Sequence, residues 1–321
     1  MVAVRRNIFI DETARKNYVQ GVTLLKQEHL GPTTADLGIA GPATQVSTYD
    51  LFVIWHHRAM ETFTPPIQAD RNAAHRGPVF LPWHRLMLVL LELQLQRVLD
   101  DPEVGLPYWD WAADGQRAPQ DQPDSMVWAD DCMGGQGRPV RTGPFAFDPA
   151  DPTGWRVRVA ANVQGDLVQR NRGLAREFGV SVGALPTQGD VAAALELDSY
   201  DEPPWNTESG GFRNQVEGWR PLETAPGLHN RVHVWVGGDM LPSSSPNDPV
   251  FYLNHCNEDR IWAAWLDRDP DPPYLPGQAE SDDLLGHRID DDMFSLLTQP
   301  VTPRQMLDPS AFYTYDTLDV S

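Results

Sequence analysis

The sequence predicts a mainly α-helical protein with long loops and little β-structure. Three observations carry that prediction. Apolar residues recur at helical spacing over several long segments. Capping or breaking residues stand at the ends of those segments. The stretches between them are rich in proline and glycine, 29 and 25 residues respectively among 321. Such stretches favour irregular connections over regular elements. The length suits one large domain or two small ones, and a single domain over residues 1–321 is expected.

The first helical pattern runs from about Thr13 to Glu28, behind the capping pair Asp11-Glu12, with Tyr18, Val22 and Leu25 on one face. A loop is expected from Gly31 to Pro42. A second amphipathic helix covers Ser47 to Phe63 and is stopped by Pro65-Pro66. After a polar connection over 67–77, Pro82 opens a strongly apolar helix from Trp83 to about Leu99. The stretch from Ala112 to Gly154 lacks periodicity and reads as a long surface excursion. Shorter helices are expected at Gly189–Leu197 and Gly210–Gly218. A helix from His229 to Val236 ends at Gly237-Gly238, and an apolar helix spans about Val250 to Leu266. The tail is acidic and proline-rich until a strand-like pattern at Ala311–Leu318. Four apolar helices in two pairs, within a loop-rich shell, are the expected core.

Acidic residues outnumber basic ones 45 to 25, for a formal net charge of −20. That field repels nucleic acid and anionic membranes, so neither is expected as a partner. No apolar run is long enough for a membrane span. Cys132 and Cys256 read as isolated buried thiols rather than a disulfide framework. No signal peptide is visible at the start. A cytoplasmic protein is the default expectation, with export as a passenger on a partner protein as the alternative.

The chemistry lies in the histidines. Of nine, seven lie on or beside the four apolar helices: His56, His57, His75, His84, His229, His233 and His255. One such residue is usually an ordinary core or surface histidine. Seven gathered in two clusters strain that explanation. His229 and His233 are four apart, which stacks both rings on one helix face within reach of one metal ion. His255 follows in an apolar helix. In the first cluster, His75 precedes and His84 begins another apolar helix, and His56 or His57 comes from the helix before. Two three-histidine sites result.

Imidazole-rich sites suit zinc, copper, nickel or iron, whereas carboxylates dominate dinuclear iron bundles. Neither cysteine sits at the ligand spacing of a structural zinc site. Two all-histidine sites match a copper pair cycling between Cu(I) and Cu(II) with O2 held between the ions.

The run AAHRGPVFLPWHRLMLVLLELQLQ with LPYWDWAADG resembles the first copper site of tyrosinases, and GLHNRVHVWVGGDM with SPNDPVFYLNHCNEDRIWAAW resembles the second. VWADDCMGG and GGFRNQVEGW are similar to segments of bacterial, actinomycete-type members, and the resemblance spans nearly the whole chain. It implies a central antiparallel four-helix bundle holding two copper ions. It assigns His56, His75 and His84 to one ion and His229, His233 and His255 to the other. FVIWH aligns with the family motif ending in the ligand, so His56 is preferred to His57. Consecutive helix positions point about 100° apart, which makes His57 a neighbour.

Further roles follow from the same resemblance. Asn230 and Glu217 match a pair that orients a water to deprotonate a bound monophenol. Glu223 lies closer in sequence to His229, and a structural role for Glu217 stays open. Phe251 resembles an aromatic packed over the ligands. Asp259, four after His255, is read as an acceptor orienting a ligand ring, or as a helix-surface charge. Arg5 or Arg6, with Tyr313 and Tyr315, resembles the pair closing the main domain. Ala73 stands where other relatives carry a thioether-forming Cys, and Asn254 where many bacterial ones have His. The loop Met60–Ala74 is longer than usual. With no shielding domain after residue 321, an open site or a separate small caddie protein is expected.

The expected activity is copper-dependent oxidation by O2: hydroxylation of monophenols and oxidation of o-diphenols to o-quinones, on small phenolic substrates. An o-aminophenol or catechol oxidase without monophenol hydroxylation is the alternative. Hemocyanin-like O2 carriage is a remote one.

Overall fold

A computed structural model describes residues 2–219 and 227–320. Along them run β1 (Ala3–Arg5), α1 (Glu12–Gln27), α2 (Thr48–Glu61), α3 (Phe80–Leu99) and α4 (Trp111–Gly115). There follow β2 (Val157–Ala161), β3 (Leu167–Arg172), α5 (Gln188–Leu195), α6 (Gly211–Glu217), α7 (Leu228–Val236), α8 (Val250–Leu266) and β4 (Tyr313–Tyr315). The protein is mainly helical with little sheet, as the apolar spacing predicts. Among the described residues, no helix is long and apolar enough to cross a membrane.

Local chemistry sets the helix ends. The Asp11 carboxylate accepts the Ala14 N–H at 2.8 Å, and Ser47 Oγ accepts the Asp50 N–H at 3.0 Å, so each satisfies an otherwise orphaned donor. Helix α3 starts three residues before the expected Trp83. A turn launches it instead of a side-chain cap, with Phe80 N–H donating to Gly77 O at 3.1 Å. Pro82 then sits in the first turn, where its missing donor leaves no bond unmade. At the far end Asp100 adopts the left-handed conformation, φ 53°.

Helix α3 is the buried centre. Helix α1 packs closely on it at Gly21, where a Cβ would come within 2.6 Å of Leu95 Cδ2. Trp55 of α2 meets Trp83 of α3 at 4.9 Å between ring centroids, and α8 packs along α3.

Three expectations need correction. The segment 112–154 is irregular but not superficial, because Val127, Trp128, Met133, Val140 and Phe145 are all buried. Buried Arg176 substitutes for regular hydrogen bonding there. It donates to Met133 O at 2.6 Å and Gly134 O at 2.9 Å while paired with Asp248 at 2.6 Å. An anchor of this kind leaves no periodic trace. Next, β2 and β3 form an antiparallel hairpin that was not expected, although Val157 and Val159 point inward around exposed Arg158. Finally, the tail strand shrinks to Tyr313–Tyr315, which pairs in parallel with β1.

That pairing brings in Arg5, not Arg6. Arg5 is fully buried; it donates to Glu92 at 2.9 Å and Asp259 at 3.0 Å and lies 3.3 Å above the Tyr313 ring. Arg85 of α3 reaches the other oxygen of Asp259 at 2.5 Å, and the Tyr313 and Tyr315 hydroxyls also donate to this carboxylate. Burial would raise the Asp259 pKa, but the Arg85 and Arg5 guanidiniums outweigh it and hold the carboxyl below its ordinary value. One carboxylate therefore ties β1, α3, α8 and β4 together.

Candidate metal centre

Four helices deliver five of the six histidines: His56 on α2, His84 on α3, His229 and His233 on α7, and His255 on α8. His75 lies on the loop between α2 and α3. An Asn72 turn fixes it there: the Asn72 side-chain oxygen accepts the Ala74 and His75 N–H groups at 3.1 and 2.7 Å. His56 and His57 diverge as consecutive helix positions must. His56 Nδ1 meets Ser243 O at 2.7 Å, while His57 Nδ1 meets Ser243 Oγ at 2.8 Å and joins neither triad.

His56, His75 and His84 form one group and His229, His233 and His255 a second. In each, the candidate ligand atoms lie within 4.8 Å of one another. The groups abut: the His84 and His255 rings stack at 4.2 Å with 7° between their planes, and His75 lies 5.9 Å from His229. Phe251 packs over them, 4.1 Å from the His255 ring and 5.0 Å from that of His56.

The ring nitrogens divide in the way metal ligation requires. Nδ1 faces a backbone carbonyl in His56 (Ser243), His84 (Phe80, 2.8 Å), His229 (Glu217, 3.1 Å) and His233 (Met240, 2.6 Å). A carbonyl only accepts, so Nδ1 carries the proton and Nε2 keeps its lone pair. The Nε2 atoms of His56, His84 and His229 are buried with no hydrogen-bond partner. Unpartnered buried nitrogens are costly unless something fills the space between them. Burial above all drives every one of the six below its ordinary pKa, to about 3 for His56 and about 4 for His233, and neighbouring rings add to it for all but His233. The rings are neutral at pH 7, the protonation state a metal ligand needs. Among the described residues, no carboxylate joins either triad.

The flanking residues show what sequence reasoning misjudged. Asp259 faces Arg5 and Arg85 and does not orient His255. One residue earlier, buried Glu258 brings a carboxylate oxygen to 3.0 Å from His255 Nδ1, off the line of the ring N–H. Helix geometry allows either residue, since i+3 and i+4 both neighbour the ligand's turn, and it is the Arg5 and Arg85 guanidiniums that engage Asp259 instead. Burial and the nearby Glu217 charge push the Glu258 carboxyl well above the usual carboxylate range.

Glu217, at the end of α6, is fully buried. Its oxygens accept from Arg213 at 2.8 Å and from the Arg76 backbone N–H at 2.6 Å, and its own carbonyl meets His229. Burial raises its pKa, with the Arg213 guanidinium opposing. Asn230 lines the cavity over the histidines, and among the described residues no hydrogen bond joins it to Glu217. Glu223 lies outside the described residues. Cys132 and Cys256 are free and buried, and burial pushes both thiols up to about 12. Asn72, Ser243, Arg213 and Glu258 were not singled out from sequence. Only Asn72, an Asn shortly before a candidate ligand, gave a local signal.

A cavity of about 470 Å³ opens over His56, His75, His229 and His233, walled by Met60, Trp219, Val234, Leu241 and Pro242. A mainly helical scaffold with two abutting all-histidine triads beneath an apolar cavity defines a dinuclear histidine–metal protein. Comparison with known proteins narrows the class. The common central domain of tyrosinase matches residues 46–268. A tyrosinase of Streptomyces antibioticus is 41% identical over 272 residues, covering 84% of this chain and 89% of that one. Grixazone synthase of Streptomyces griseus is 39% identical over 298 residues, covering 84% and 90%. In fold, a polyphenol oxidase variant of Thermothelomyces thermophila is similar, with a TM-score of 0.71 at 24% identity over 98% of this chain and 89% of that one.

This chain belongs to the tyrosinase family. It is a tyrosinase-type oxidase of the bacterial kind that uses two copper ions and acts on phenolic compounds with O2. The neutral all-imidazole donor set fits those ions.

Proposed function

We propose that the chain hydroxylates monophenols and oxidises o-diphenols to o-quinones at this centre. In this reading His56, His75 and His84 hold one copper and His229, His233 and His255 the other. The observation that carries it is the pair of abutting triads, with unpartnered Nε2 atoms, beneath a cavity of aromatic-ring size. Copper, when bound, supplies O2 binding and the redox change.

The protein's own groups do the rest. Carbonyls of Ser243, Phe80, Glu217 and Met240 hold the rings in the Nδ1–H tautomer. Apolar walls receive the substrate ring and exclude water. A monophenol must also lose its proton, and we assign that to a water held between Asn230 and Glu217. Glu217 accepts from Arg213, from the Arg76 N–H and from the Trp219 side chain, and the two oxygens of a carboxylate offer about four lone pairs in all. Asn230→Ala is expected to slow monophenol turnover about 100-fold relative to catechol turnover; an equal loss on both substrates would remove Asn230 from the proton path.

Oxygen consumption by copper-loaded protein tests the whole reading, with a monophenol, a catechol and an o-aminophenol run in parallel. Uptake with all three supports it. Uptake with only the last two would favour an o-aminophenol or catechol oxidase, for which the similarity to grixazone synthase is the specific support. No uptake would overturn the oxidase assignment. A small copper-loading partner belongs to the same proposal, supported by the open cavity mouth; spontaneous full loading from free copper would argue against it. The β1–β4 pairing of the two chain ends supports reading residues 1–321 as one domain.

A further inference from the structure

The cavity over the histidines carries one permanently charged side chain in its lining among the described residues, Arg76. Its placement is specific. Arg76 directly follows His75 and has φ 63°, in the left-handed region that a non-glycine residue adopts only where its surroundings hold it. The 2.6 Å hydrogen bond from its N–H to buried Glu217 holds it there, and Arg213 in turn holds Glu217. The backbone is therefore fixed, and the side chain leaves it from a rigid point beside a candidate ligand.

The guanidinium lies 5.5 Å from the ring centroid of Trp219, which also lines the cavity and is itself 38% exposed. Lying against an aromatic face leaves the N–H edge of a guanidinium available for a planar, two-pronged partner. No carboxylate among the described residues lies within ion-pair distance of it. In a chain whose acidic residues outnumber its basic ones 45 to 25, an arginine at the mouth of a site with no ion pair among the described residues stands out. The opposite wall is apolar, formed by Val234, Leu241 and Pro242. The cavity thus offers a slot for an aromatic ring and, at its rim, a fork-shaped cation.

We propose that Arg76 is a specificity-determining residue that selects phenolic substrates carrying a carboxylate on the ring or on a short side chain. The inference rests on the copper-oxidase reading of the site. In a cavity with partly excluded water, a guanidinium–carboxylate pair binds and orients more strongly than the same pair on an open surface. The carboxylate sits at the Arg76 edge while the phenolic end is directed toward the histidines.

The test compares 3-(3,4-dihydroxyphenyl)propionate with its amide, which differs only in charge at the tail. Copper-loaded wild-type, Arg76→Gln and Arg76→Lys proteins are assayed for kcat/KM on both. The wild-type protein is expected to favour the carboxylate about tenfold, expressed in KM. Arg76→Gln should bring the ratio of the two substrates close to one, whatever factor both lose in common. Arg76→Lys should keep part of the preference. A ratio unchanged in Arg76→Gln overturns the inference while leaving the oxidase reading intact.

Binding of 3-phenylpropionate and 3-phenylpropionamide, which lack the phenol, is measured calorimetrically on the same proteins. This measurement tests Arg76 even if no protein oxidises either catechol. Tighter carboxylate binding that disappears in Arg76→Gln supports the assignment, and equal binding of both ligands to wild-type protein overturns it.

Discussion

A candidate ligand ring that spends one nitrogen on the protein has only the other left for a metal. In four of the six rings a backbone carbonyl faces Nδ1, so orientation is built into the main chain and no side-chain substitution can remove it. Two rings differ: His75 Nδ1 is buried without a partner, and His255 Nδ1 faces the Glu258 carboxylate at 3.0 Å. Groups that orient a metal-bound imidazole typically account for about 10- to 100-fold in metal affinity. Glu258→Gln is therefore expected to weaken copper retention about tenfold in competition with a chelator. Affinity equal to wild type would show that the contact does not orient the ring.

Two junctions between elements matter most for the centre. The first is the Asp259 node. Asp259→Asn would leave Arg5 and Arg85 buried with half their compensation, and breaking a buried pair costs about 3–5 kcal/mol. Losing the α1 cap at Asp11 costs only ~1 kcal/mol. Denaturant unfolding of Asp259→Asn and Asp11→Ala should separate the two by at least twofold, and similar losses would show that the node is not the stronger tie. The second junction is Gly218, which ends α6 at φ 97° and packs against the start of α7. A Cβ there would lie 2.7 Å from Gly227 O and 3.1 Å from Asn230 Cβ. Gly218→Ala should lower stability by about 1–3 kcal/mol. It should also reduce copper loading, since α6 supplies the carbonyl facing His229 and α7 supplies His229 and His233. Loss of stability with full copper loading would separate the turn from the centre.

For the molecule as a whole, the buried neutral histidines predict acid sensitivity. The folded pKa falls to about 3 for His56 and His287 and to about 4 for His233, from an ordinary value near 6.5. Below that ordinary value, the unfolded chain takes up protons that the folded chain refuses. Stability is thus intact above about pH 6.5 and is lost progressively as pH falls toward about 3–4. Glu217 and Glu258, held above the carboxylate range by burial, oppose the trend but are outnumbered by the histidines. Urea midpoints of the metal-free protein should fall steadily between about pH 7 and about pH 5. A flat profile would mean that the rings are protonated or exposed in the folded state.

Helical spacing, caps and breakers placed α1, α2, α3, α7 and α8 to within a few residues, because those signals act over one or two turns. The six histidine positions could be named on the same local grounds, helped by resemblance to a family whose motifs are contiguous runs. What only the tertiary structure decided depends on partners far apart in sequence. Arg176 turned an aperiodic segment into part of the core. Arg5, not Arg6, met Asp259, which thereby became a structural tie and left Glu258 beside His255. Whether Glu217 faces substrate or framework also rests on Arg213, Arg76 and a helix end meeting in space. A side chain's neighbours across the fold set its charge and its role, and no local pattern encodes them.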